Sequence, residues 1–227
     1  MGQIMFEIDS VSASSAHTCL LYESLDEQRH TVLRFLKDGL GAGEQVWCVA
    51  DEQSDDEWYF ELQANGVDVE KERKIGSLVI CQGEHWRRST PFSSIQNARE
   101  TWELIENALA GFSGVRFAVD MAWTLEPPIP HDLVCHWEAT LNLVIEDEPR
   151  VRTLCLYNTR RHSARRVHSA LRTHPFVIVG GIYRSNPFYE ASHILENEPH
   201  LNHSQADGGT VEGMLLQLAA EPGTKIQ

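Results

Sequence analysis

Two residues near the start of the chain, His17 and Cys19, have types and a spacing that could do chemistry. They sit two apart in His17-Thr18-Cys19-Leu20-Leu21-Tyr22, an apolar run that reads as a strand, so both side chains leave the same face. A His and a Cys so placed could supply two metal ligands, or a thiol with its base. A metal site needs three or four ligands, and no second paired motif occurs, so the spacing predicts no metal and no cofactor. A hydrogen-bonded core histidine is the plainer reading. The thiol-and-base alternative is an enzyme with His17, Cys19 and Glu138 as catalytic groups.

Glu138 is the most informative carboxylate. Val134, Glu138, Leu141 and Ile145 recur at helical spacing, with Cys135 and Asn142 beside them, which puts Glu138 on an apolar face. A carboxylate there must find donors or rise in pKa, so it either contacts a ligand or ties helix to sheet. Asp120 closes the run Val115-Arg116-Phe117-Ala118-Val119, and Trp123 follows as a wall for a small pocket or a plug over the sheet end. Tyr22 and Tyr157 stand at two further strand ends. His174 is held extended by Pro175.

The same positions argue against a phosphate cradle. Such a loop needs glycines, then Lys and a hydroxyl. Leu21-Tyr22-Glu23-Ser24-Leu25-Asp26-Glu27 has neither Gly nor Lys and brings Glu23, Asp26 and Glu27 instead. Gly39-Leu40-Gly41-Ala42-Gly43 follows a helix and precedes a strand, the reverse of a dinucleotide loop, and reads as a helix end and turn.

The elements that would hold these residues alternate. Strands are expected at 18–22, 45–50, 78–81, 115–121, 151–157 and 176–179, and helices at 25–38, 55–64, 95–110, 131–146 and 163–172. Ser24 with Glu27 suggests a capping box. Strands rich in Val, Ile, Leu and Cys, joined by helices, predict an α/β fold with a mainly parallel sheet buried on both faces. In such sheets ligands bind beyond the carboxyl edge, where the candidate residues are expected to gather. Residues 1–14 read as a tail. Residues 191–227 read as an extension with a short helix near 210–220 that packs on the domain or leads elsewhere.

Composition bounds the function. The 227 residues are 42% apolar and 23% charged, enough for a sizeable core. Net charge is −14, which disfavours nucleic acid and anionic membrane surfaces as partners. No apolar run approaches the ~18 residues of a membrane span, and no secretory signal is visible. Cys19, Cys48, Cys81, Cys135 and Cys155 are scattered singly, as expected of reduced, buried cytoplasmic thiols. From Pro149 to Tyr189 there is no Asp or Glu, but there are Arg150, Arg152, Arg160, Arg161, Arg165, Arg166, Arg172 and Arg184. This basic stretch is either a docking surface or is paired with acids such as those of 51–57.

Several short stretches together resemble one family. They are His17-Thr18-Cys19-Leu20-Leu21-Tyr22-Glu23, Phe35-Leu36-Lys37-Asp38-Gly39-Leu40-Gly41-Ala42-Gly43-Glu44, Asn65-Gly66-Val67-Asp68-Val69 and Val115-Arg116. Asp120-Met121-Ala122-Trp123, Trp137-Glu138-Ala139-Thr140-Leu141-Asn142, Leu154-Cys155-Leu156-Tyr157, Arg172-Thr173-His174-Pro175 and Asn186-Pro187-Phe188-Tyr189 follow in order. They resemble the methanogen/methylotroph sensory domain, MEDS, first defined in a dichloromethane-responsive regulator, over residues 15–190.

The resemblance implies a three-layer RecA-like core, similar to P-loop NTPases and circadian-clock ATPases, with a degenerate phosphate loop. It also implies a signal-input domain that senses a small organic ligand. Its output partner would be a histidine kinase, a transcription regulator or an anti-sigma protein; a homodimer is compatible with it. No output module is recognisable after residue 190, so the chain is expected to be a stand-alone sensor or a piece of a longer signalling protein. The expectation is a non-enzymatic cytoplasmic domain with His17, Cys19, Tyr22, Asp120, Trp123, Glu138, Tyr157 and His174 as ligand-binding residues. The alternatives are a RecA-like nucleotide-binding protein and the His17/Cys19/Glu138 enzyme.

Overall fold

The structure is a computed structural model that describes residues 17–51, 53–86, 92–191 and 208–226. The expected tail, 1–14, and the first part of the extension lie outside these residues. Eight strands form one sheet in the order β3-β2-β4-β5-β1-β6-β7-β8. They are β1 His17–Tyr22, β2 Gln45–Ala50, β3 Leu78–Gln82, β4 Val115–Asp120, β5 Val151–Asn158, β6 Phe176–Val179, β7 Ile182–Ser185 and β8 Thr224–Lys225. The first six are parallel; β7 and β8 add antiparallel at one edge.

Helices cover both faces, so the α/β expectation holds as a three-layer core. On one side lie α1 Leu25–Gly41, α2 Asp55–Ala64 and α3 Val69–Ile75. There Val32, Leu36, Trp58 and Leu62 pack on Leu20, Val46, Cys48, Ala118 and Leu156. On the other side lie α4 Gly83–Trp86, α5 Ser94–Gly111, α6 His131–Ile145, α7 Ala164–Thr173 and α8 Gly208–Ala220. There Ile105, Trp137, Leu141, Ala170 and Leu218 pack on Cys19, Phe117, Val119, Cys155 and Val177. Alternation along each strand divides the sheet between two cores.

Local chemistry explains the borders. Ser24, Ser54, Ser93 and Ser163 each accept a backbone N–H in the first turn of α1, α2, α5 and α7. At Ser54 the box is complete, with Glu57 returning a bond to the Ser54 backbone N–H. At Ser24 the Glu27 carboxylate instead accepts from Glu23 N at 3.3 Å.

Helix α1 runs past the expected stop at Gly39 and turns only at Gly43, whose φ is 73°. Gly39 is needed for approach rather than termination: a Cβ there would lie 2.7 Å from Val46 Cγ1 and 2.8 Å from Arg116 Cδ. Helices α3 and α4 and strands β7 and β8 were not anticipated; they are short, and their polar sequence carries little periodicity. The described part of the extension, 208–226, packs on the domain: β8 pairs with β7, Arg184 donates to the Leu218 carbonyl, and Leu218 is buried.

Among the described residues, five of the eight arginines of the basic stretch pair with acids, none of them in 51–57, while Arg166 and Arg184 donate to the backbone carbonyls of Ile129 and Leu218. Arg150 binds Glu148, Arg152 binds Glu44, Arg160 binds Glu23, Arg165 binds Asp132 and Arg172 binds Glu190. Residues 51–57 lie beside β2 and β3, at the far end of the sheet from β1 and β6, which is why those acids are out of reach. Glu44 is shared: it also receives Arg116, and all three side chains are largely buried.

Candidate functional site

Strand β1 lies between β5 and β6, with Cys19 opposite Cys155 on one side and Val177 on the other. Odd-numbered residues of β1 and β5 therefore share a face. His17, Cys19, Cys155 and Tyr157 all point under α6 and α7, which contribute Glu138, Asn142, Thr173 and His174. His17, Cys19, Tyr157, Thr173 and His174 are essentially inaccessible, and Glu138 is 1% exposed.

The polar contacts in this cluster are specific. Asn142 Oδ1 lies 2.8 Å from His17 Nδ1, and Asn142 Nδ2 donates to the Thr173 carbonyl at 2.6 Å. That amide orientation makes His17 Nδ1 the donor and leaves Nε2 unprotonated, 3.3 Å from Cys155 Sγ. The His17 and His174 rings lie 3.9 Å apart at 47°. Tyr157 donates its hydroxyl to Glu138 Oε1, and Thr173 Oγ1 donates to Glu138 Oε2 at 2.8 Å. His174 Nδ1 lies 2.7 Å from the Ala170 carbonyl, an acceptor only, so this nitrogen carries the proton. His174 Nε2 makes no hydrogen bond, and Glu138 Oε1 is 3.6 Å away.

Burial sets the protonation states. It lowers both imidazoles to about 3, with the neighbouring His174 adding to the effect on His17. It pushes the Glu138 carboxyl up, opposed by His17 and by the Tyr157 and Thr173 hydroxyls. It raises the Cys19 and Cys155 thiols well above their usual range, with Glu138 reinforcing it. A thiol held protonated is a poor nucleophile, so this environment works against Cys19 as an attacking group.

The candidate residues divide between two places. His17, Cys19, Glu138, Tyr157 and His174 meet on the sheet face. They are not gathered beyond its carboxyl edge, since His17 opens β1 at the opposite end from Tyr22. Trp123 lies on the same side but packs edge-on to Trp137, with ring centroids 5.7 Å apart, and against Phe92 at 5.6 Å. It walls the helix that carries Glu138.

Tyr22 and Asp120 face the opposite core. Gln28 Nε2 donates to Tyr22 Oη at 3.2 Å and to Asp120 Oδ2 at 3.1 Å. Gln53 donates to Gln28 Oε1 at 3.0 Å and accepts from Arg29 Nε at 2.9 Å. Asp120 Oδ1 also accepts from Ala122 N at 3.0 Å, capping the turn 121–124. This second network occupies the carboxyl ends of β1 and β4. The β1–α1 connection there is only Glu23-Ser24, too short to wrap a phosphate.

Cys155, Asn142 and Thr173 complete the first cluster but were not among the expected site residues. Cys155 and Tyr157 repeat in β5 the two-residue spacing of His17 and Cys19 in β1, a signal that needs strand adjacency to be read. Thr173 immediately precedes His174.

A parallel sheet covered on both faces, with a polar cluster sealed under one helical layer, places the chain among three-layer α/β domains. The chain belongs to the MEDS family, described as the MEthanogen/methylotroph, DcmR Sensory domain, whose model matches residues 16–175. Its role is therefore that of a signal-input domain. No curated protein matches the chain. Among the described residues no helix is long and apolar enough to cross a membrane.

Proposed function

We propose that the chain is a non-enzymatic cytoplasmic input domain that binds a small organic ligand at the Glu138 cluster and passes the signal to a kinase, a transcription regulator or an anti-sigma partner. The sensory unit is residues 15–190, and 191–227 are an extension to it whose described part, 208–226, packs on it. The observation that carries this reading is the set of polar side chains from β1, β5, α6 and α7 meeting around Glu138 in a chain of a sensory family. Such a cluster couples the layers: a ligand that changed the partners of Glu138 would shift α6 and α7 against the sheet, favouring one of two packings.

Native mass spectrometry of freshly purified protein tests the reading, because a retained ligand adds its mass to the chain; the same spectrum reports the oligomeric state. The companion variant is Glu138→Gln, which keeps the shape and one acceptor but removes the charge. The reading expects a folded variant that no longer retains the ligand. A chain that carries no adduct and is not stabilised by any member of a small-molecule panel in thermal denaturation refutes it. The nucleotide-binding alternative gains no support from the Gln28–Asp120 network, whose groups satisfy one another.

A further inference from the structure

Three metal-ligating side chains that lie far apart in sequence converge inside the cluster. His17, Cys155 and His174 each bring one ligand atom, all within 4.8 Å of one another, and all three are buried. The hydrogen bonds around them fix the chemistry. Asn142 holds the proton of His17 on Nδ1, and the Ala170 carbonyl holds that of His174 on Nδ1. Both rings therefore leave Nε2 unprotonated, that of His17 beside Cys155 Sγ and that of His174 beside Glu138 Oε1, each with its other nitrogen tied to a fixed oxygen. Metal-binding histidines are oriented in this way by outer partners. His174 Nε2, fully buried and without a hydrogen bond, faces Glu138 Oε1 at 3.6 Å, so a lone pair confronts a carboxylate oxygen with no donor between them. His174 Nε2 is thus an acceptor with no donor beside a second acceptor, an arrangement that a cation would satisfy.

We propose that His17 Nε2, His174 Nε2 and Cys155 Sγ form a binding site for a divalent metal of the zinc class, with one coordination position open beside Glu138. Two imidazoles and a thiolate suit a borderline-soft ion and are poor ligands for calcium or magnesium. Zinc bonds of about 2.0 Å to nitrogen and 2.3 Å to sulfur at the tetrahedral angle place N and S about 3.5 Å apart. His17 Nε2 and Cys155 Sγ are 3.3 Å apart. Charge also balances. On binding, the Cys155 thiol gives up its proton to solvent; the metal and thiolate then carry one net positive charge, which an ionised Glu138 cancels. Without a metal, the hydrogen bonds to Glu138 come only from the uncharged hydroxyls of Tyr157 and Thr173. Neutral imidazoles, as burial makes these, are the form that binds metal. Spacing alone could not show this site, because each ligand comes from a separate segment. It requires neither an organic ligand nor a signalling partner, so its test reads the metal alone.

The full chain is unfolded and refolded with Co²⁺ under reducing conditions, since a sealed site fills most readily during folding. The expected result is one cobalt per chain after desalting, with a thiolate-to-cobalt charge-transfer band that zinc abolishes by displacement. Cys155→Ser loses the band, whereas Cys19→Ser, its neighbour across the strands, keeps it; circular dichroism checks that both fold. X-ray absorption of the zinc-loaded wild-type chain, which needs no variant, is expected to show one sulfur and two imidazole nitrogens around the metal. Substoichiometric metal, a band that survives in folded Cys155→Ser, or a shell without sulfur overturns the proposal.

Discussion

Asn142 stands 2.8 Å from His17 Nδ1 through its carbonyl while its amide reaches the Thr173 carbonyl at 2.6 Å, so one side chain on α6 ties the start of β1 to the end of α7. Asn142→Leu would strand two buried polar groups at once. Each costs about 1–3 kcal/mol when left unsatisfied, so the variant is expected to lose on the order of 2–4 kcal/mol. Urea denaturation read by tryptophan fluorescence checks this, and a loss within error would mean that the bridge is not structural.

The buried imidazoles give the metal-free chain a defined acid sensitivity. His17 and His174 bind protons near pH 6.5 when unfolded but only at about 3 when folded. Between those values the unfolded chain holds more protons, so stability falls as pH falls. Well below pH 6.5 each histidine contributes a slope of up to about 1.4 kcal/mol per pH unit. Glu138, with its pKa raised, acts in the opposite sense: its stabilisation grows as pH drops through its raised folded value and is complete below its unfolded one. Denaturation between pH 7 and 5 lies above the range of ordinary carboxylates, and the Glu138 contribution is common to the two chains compared. It should show wild type losing stability faster than His174→Gln, if that variant folds.

Glu44 is expected to be the costliest acidic residue to remove. It accepts from Arg116 and Arg152, the latter at 2.7 Å, and both arginines lie largely out of solvent. Glu44→Ala leaves the Arg116 charge buried without its counter-ion, at a cost of about 3–5 kcal/mol. Asp132→Ala, which breaks the exposed pair with Arg165, should cost under about 1 kcal/mol. Thermal unfolding of the two variants side by side tests the contrast.

Mg-ATP should not bind. Glu23, Asp26 and Glu27 surround the two-residue β1–α1 connection, and Gln28 and Asp120 already satisfy each other nearby. Isothermal titration is expected to show no saturable heat at sub-millimolar nucleotide. A micromolar constant would restore the nucleotide-binding alternative.

The element order was legible because short apolar runs alternate with helical stretches, and Ser24 marks a helix start that holds in the structure. The burial of Glu138 was legible too, since helical spacing places it between Val134 and Leu141. What local pattern does not contain is strand order. β5 follows β4 in the chain yet pairs with β1, and only that pairing brings Cys155 beside His17. Parity along the strands would have separated Tyr22 and Asp120 from His17, because Tyr22 is an odd number of residues from His17 and must face the other core. The partners of the arginines depended on the same long-range order.

The pairing of β8 with β7 has a consequence for the association state of the protein. Thr224 and Lys225 cover the hydrogen-bonding edge of Tyr183 and Ile182, and α8 presses Leu218 over the same corner. A chain cut after residue 190 would present β7 as an open edge with an apolar surface beside it, a ready template for a second copy. Shortened versions should therefore sediment as larger species while keeping the His17–Glu138 cluster, on the far side of β6, in place. Self-association in such a fragment would report a lost edge strand rather than a sensing interface.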